Sequence, residues 1–97
     1  MRVHFVSHAR AEIIEATAYY QYQSSEVARR FLADLANATS PLLQFPGIGS
    51  PVRGGVRRFL LKTFPYQLIY RVDGNDIRVF AVAHVKRRSG YWRDRLR

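Results

Sequence analysis

The chain has 97 residues, 47% of them hydrophobic and 13% aromatic, and its 16 Lys and Arg outnumber 7 Asp and Glu for a net charge of +9. That length bounds it to one domain, residues 1–97, and that composition excludes disordered, collagenous and low-complexity classes. No apolar run approaches the ~20 residues of a membrane span, residues 1–6 read as a strand rather than a signal peptide, and the absence of cysteine excludes disulfides and thiolate metal sites. Packing alone must stabilise the fold, and a cytoplasmic location is expected.

The charge is uneven. In residues 1–52, Arg2, Arg10, Arg29 and Arg30 are balanced by Glu12, Glu15, Glu26 and Asp34. Residues 53–97 hold ten Arg and two Lys against three Asp, so they carry the whole excess. Of the 16 cations 14 are Arg, the residue that forks onto phosphates and carboxylates. An anionic partner follows, either nucleic acid or an acidic protein.

Along the chain, residues 2–6 read as a short strand and residues 9–23 as a helix. Ile13, Thr17 and Tyr20 form one stripe of that helix, with Ile14 and Ala18 beside it. Ser7 is its expected N-cap. Ser24-Ser25 breaks the helix and caps a second one, in which Val27, Phe31, Leu35, Ala38, Leu42 and Phe45 recur at helical spacing. Pro41 predicts a kink or an irregular last turn. Residues 46–55 read as loop on their Gly and Pro content.

Three strands are expected over 56–63, 66–72 and 77–85, with a tight connection at Asp73-Gly74-Asn75-Asp76. Alternation puts Arg58, Leu60 and Lys62 on one face of the first, opposite Arg57, Phe59 and Leu61. In the last, Ile77, Val79, Ala81, Ala83 and Val85 oppose Arg78, Phe80, Val82, His84 and Lys86. A basic, aromatic tail, residues 86–97, ends the chain. The order β-α-α-β-β-β is an α+β class, with a helix hairpin packed on a small antiparallel sheet that the first strand joins. The expected core is Ile13, Phe31, Leu35, Phe59, Leu61, Leu68, Tyr70, Val79 and Ala81.

That order carries local signatures along nearly the whole chain. They include Ala9, Glu12 and Ile13 opening the first helix, Tyr19-Tyr20, Phe31-Leu32, Phe45-Pro46-Gly47 and Arg57-Arg58. Phe64-Pro65-Tyr66, Ile69-Tyr70-Arg71-Val72, Ala81-Val82-Ala83-His84 with Arg87, and Gly90-Tyr91-Trp92 with Arg95 complete the set. Together they resemble the RelE/ParE superfamily of small bacterial toxins, and the end of the chain resembles a ParE-like branch. The resemblance implies a growth-inhibiting toxin of a type II toxin–antitoxin, plasmid-stabilisation-like module, neutralised by a cognate antitoxin whose acidic segment wraps it. It also implies a target: DNA gyrase for ParE-like members, or ribosome-bound mRNA cleaved without metal for RelE-like members.

Metal-independent RNA cleavage needs a base, an acid and cations for the phosphorane charge. Arg58, His84, Arg87 and Tyr91 are the candidates if the chain is an endoribonuclease, gathered on one concave side of the sheet. His84 is the only His in the basic half, and Tyr91 is read either as a base or as a stacking residue. Active RelE-like members are lysine-rich on the equivalent surface, and here only Lys62 and Lys86 occur. Arg57, Lys62, Lys86, Arg88 and Arg93 are candidate contacts to nucleic acid or target. Trp92 is expected to fold the tail back on the core. A third reading is a non-catalytic nucleic-acid binder using the basic face with Tyr70, Tyr91 and Trp92. No metal site or cofactor is expected: His4 and His8 straddle a strand–helix boundary, the acids are scattered, and the Gly pairs lack a nucleotide-loop context.

Overall fold

A computed structural model describes residues 1–96; Arg97, the end of the expected tail, lies outside the described residues. The elements are β1 (Val3–Phe5), α1 (Ser7–Gln23), α2 (Ser25–Gln44), β2 (Ser50–Val52), β3 (Val56–Leu60), β4 (Tyr66–Asp73), β5 (Asp76–His84) and a single 3₁₀ turn, Arg93–Arg95. They make one five-stranded sheet in the order β1-β5-β4-β3-β2. β1 lies parallel to β5 and every other pair is antiparallel.

The α+β architecture is the expected one, with an added strand. β2 lies within the segment expected to be loop, and it pairs Ser50 with Arg58 and Val52 with Val56. Two further expectations need correction. α1 begins at Ser7 itself, after Val6 and without a side-chain cap. β3 ends at Leu60, so Lys62 and Thr63 belong to a turn. Ser24 does cap α2: its Oγ accepts the amides of Glu26 at 3.1 Å and Val27 at 3.4 Å. α2 runs through Pro41 to Gln44. Proline in a last turn removes only one amide from the ladder, and the Phe45 amide closes the helix on the Pro41 carbonyl at 2.8 Å.

The core has two parts, one on each face of the sheet. Beneath the helices, Phe31, Leu35, Leu42, Leu68, Tyr70, Val79 and Val82 are buried, with Ile13 and Phe59 partly buried against them. Ile14 and Ala18 face outward. On the other face, Val56, Ile69, Phe80 and Ala81 are covered by Trp92, with Leu96 packed at the rim. The tail therefore folds back as an arm.

One irregularity decides where later side chains point. Tyr70 pairs with Val79 but its neighbour Ile69 pairs with Ala81, so Phe80 is an extra residue, a β-bulge. Beyond it the side-chain alternation is inverted. Ile77 and Val79 face the helices, and so does Val82; Phe80 and Ala81 both face the arm. The expected faces of residues 77–85 hold up to Phe80 and are exchanged after it.

Candidate functional site

Among the described residues, three surfaces hold most of the residues expected to act. The first lies on the arm side of the sheet. Arg53, Arg58, Arg87, Arg88 and Arg93 line a hollow of about 190 Å³, with Tyr91 and Trp92 in its wall and no Asp or Glu among the lining residues. Gly90 turns the arm into this wall at φ +81°, and the guanidinium carbon of Arg93 lies 3.0 Å from where a Cβ would stand. Any other residue there would be strained and crowded.

The arm is held by one carboxylate. β1 covers the outer edge of β5 only as far as Val79. Past that point Glu12 of α1 takes over: its Oε1 accepts the Val82 amide at 3.0 Å. Arg95 Nη1 donates to the same oxygen at 2.8 Å and to the Phe80 carbonyl at 3.1 Å. Tyr91 donates its hydroxyl to Glu12 Oε2 at 2.5 Å. Two guanidinium groups lie near the ring of Tyr91, Arg87 at 3.9 Å and Arg95 at 5.0 Å from its centroid.

This environment fixes protonation. Burial pushes the Tyr91 phenol above the ordinary tyrosine range, and the bond to Glu12 and its negative charge add to that, while Arg95 and Arg87 pull the other way. Burial disfavours the charge on Arg95, but Glu12 and Tyr91 together outweigh it and raise the guanidinium pKa. Tyr91 is thus a neutral donor to a carboxylate, an arrangement that opposes its use as a general base.

The second surface is a cleft of about 410 Å³ on the helix side, lined by Glu12, Glu15, Tyr19, Tyr66, His84 and Arg87. Tyr66 stands edge-on to His84 at 5.2 Å. Burial, with the neighbouring Tyr20, Tyr19 and Glu15, pushes the Tyr66 phenol up to about 12. His84 Nδ1 accepts the Lys86 amide at 3.1 Å.

The third is a groove of about 530 Å³ between α2 and the β3 edge, whose walls include Arg30, Pro41, Phe59, Leu60, Lys62 and Phe64. Asp34, almost buried, braces it: Oδ2 accepts the amides of Thr63 at 2.9 Å and Phe64 at 2.8 Å, tying the β3–β4 turn to α2. Leu60 on its rim is 56% exposed.

These placements separate the residues expected to act together. Arg58, Arg87 and Tyr91 share the arm-side hollow with Arg88 and Arg93. His84 lies across the sheet, carried there by the bulge, and only Arg87 reaches both sides. Lys62 is at the third surface because β3 has already ended. Arg57 Nη1 donates to the Gly49 carbonyl at 2.8 Å, a tie within the fold. Lys86 is exposed and lines none of the three surfaces.

Tyr70 and Trp92 are buried and cannot offer faces to bases. Tyr70 Oη donates to the Pro46 carbonyl at 2.6 Å and accepts the Gly49 amide at 2.9 Å. A Cβ at Gly49 would lie 2.7 Å from that oxygen, so only glycine allows the approach. Glu12 and Asp34, the two acids that organise these surfaces, carried no chemical role in the sequence reading.

Residues 3–89 match the family described as ParE toxin of type II toxin-antitoxin system, parDE. A curated relative, "Putative toxin Y4kP" of Sinorhizobium fredii, is 27% identical over 84 residues, 86% of each chain. A solved structure, "Chromosomal ParDE TA system from P. aeruginosa", superposes with a TM-score of 0.77 at 25% identity, over 87% of this chain and 95% of that one.

Proposed function

The chain belongs to the family of ParE toxins of type II toxin–antitoxin systems, and on that premise we propose that it arrests bacterial growth from the cytoplasm by acting on DNA gyrase, and that a cognate antitoxin holds it inactive. One observation favours gyrase over ribosomal mRNA. The groups that an RNase would need are not assembled: His84 and Arg58 lie on opposite sides of the sheet, and the Tyr91 hydroxyl is committed to Glu12. A toxin that binds its target without cleaving RNA needs no such set.

The braced groove between α2 and β3 suits the antitoxin. It offers apolar surface at Pro41, Phe59, Leu60 and Phe64, flanked by Arg30 and Lys62. An amphipathic segment with apolar anchors and acidic flanks matches both features.

Controlled expression without antitoxin, with pulse-labelling of DNA and protein synthesis, tests the target. DNA synthesis failing first, with DNA-damage induction, is the expected result. Protein synthesis stopping first would replace gyrase by ribosome-bound mRNA. Unimpaired growth with abundant folded protein would overturn the toxin reading.

A further inference from the structure

The arm-side hollow holds five arginines and no acid. Of the five, only Arg87 lies within ion-pair distance of a carboxylate among the described residues, at 3.9 Å from Glu12. Three separate segments supply the others: Arg53 from the β2–β3 turn, Arg58 from β3, and Arg88 and Arg93 from the arm. Like charges converging from distant parts of the sequence repel one another, and an anion relieves that repulsion.

The kind of anion follows from what else the hollow lacks. A peptide segment needs apolar area to bury, and the hollow offers less of it, at Val52, Ile69, Ala83 and Val85, than the groove between α2 and β3. A stacked base needs a free aromatic face. Trp92 is 5% exposed, and the ring of Tyr91 is already taken up by the guanidinium groups of Arg87 and Arg95, 3.9 Å and 5.0 Å from its centroid. What remains is a set of guanidinium forks, which match phosphodiester oxygens and read no sequence.

We infer that the arginine hollow is a binding site for the phosphodiester backbone of DNA, contacted without base stacking, and that Glu12 is the positioning residue that keeps it assembled. Glu12 holds the arm through Tyr91 and Arg95, and the arm carries three of the five arginines. The phosphodiester chemistry stands on the hollow's own residues, and the choice of DNA rests on the proposed gyrase target. A toxin that poisons gyrase without touching DNA would leave the proposed function intact and defeat this one.

The test is a titration of the purified full chain with a short duplex DNA across a range of salt, followed by Trp92 fluorescence. The triple variant Arg58→Ala, Arg88→Ala, Arg93→Ala is expected to bind about tenfold or more weakly, and the slope of log affinity on log salt should fall by about one per arginine removed. The double variant Arg2→Gln, Arg29→Gln removes charge elsewhere and should keep the slope of the parent.

Glu12→Gln separates a built site from general attraction. It raises the net charge by one, so general attraction predicts tighter DNA binding, whereas an assembled hollow predicts weaker binding. Circular dichroism and melting identify any variant that fails to fold; Arg58→Ala alone, at an exposed position, then carries the test. Tighter binding by folded Glu12→Gln, an unchanged slope in the arginine variants, or equal binding of polyglutamate of matched charge would each overturn the inference.

Discussion

Beneath the helices, Tyr20, Phe31, Phe64 and Tyr66 interlock as mostly edge-on rings with centroids 5.0–6.3 Å apart, above Leu68 and Val79. On the opposite face, Trp92 and Leu96 of the arm lie over Val56, Ile69 and Phe80, and polar ties to Glu12 keep the arm there. The first covering depends on packed area, whereas the second adds to the packing of Trp92 and Leu96 a single carboxylate that takes two hydrogen-bond donors from the arm. Dispersion and burial are spread over many contacts and tolerate small changes, whereas a polar lock fails when its one centre is removed. The arginines that would meet an anion sit on the side with the lock.

Phe31→Ala should break the helix-side covering and give the largest effect, about 3–5 kcal/mol lost in denaturant unfolding. Trp92→Ala should cost less, about 2 kcal/mol, because the thinly anchored arm can settle into the space. Equal losses would mean that the arm is a packed core of the same kind.

Glu12→Ala is expected to cost about 2 kcal/mol, since it leaves the half-buried Tyr91 hydroxyl and Arg95 guanidinium without their acceptor. Hydrogen exchange should then quicken in the arm and at the Val82 amide while α2 stays protected. Uniform loosening of the whole chain would show that the two coverings are not separable.

The smallest effect is the pH dependence of the helix side. The Tyr66 phenol is raised from 10.0 to about 12 in the fold, so its neutral form is favoured there. Its contribution is complete below pH 10 and is lost as pH rises towards about 12. Comparing alkaline unfolding of the parent and Tyr66→Phe should show a shallower decline in the variant over that interval.

The sequence displayed periodic burial well and long-range polar ties poorly. The stripe from Val27 to Leu42 and the alternation of Leu68, Ile69 and Tyr70 place the helix-side core because each is a local pattern repeated several times, whereas Phe45, the expected end of that stripe, lies just past α2 and is exposed. β2 has three residues, one of them Pro51, and its composition is that of a loop. The bulge at Phe80 inserts a residue with no mark in composition, so alternation alone put His84 on the wrong face. Glu12 meets Tyr91 and Arg95 across 79 and 83 residues, a distance at which one carboxylate leaves no local trace. The arginine excess was visible, but its division between a hollow and ties within the fold depended on that register.

β5 lies between β1 and β4, so the first strand of the chain finds its place only beside one of the last. Until residues 76–84 have been synthesised, β1 has no neighbour and Glu12 no amide to accept. Such long-range closure slows folding, because the cost of joining distant segments comes before the contacts that reward it. During translation the sheet therefore stays incomplete until residue 84 has been made. The delay separates the making of the first strand and helix from the closing of the fold that Glu12 locks.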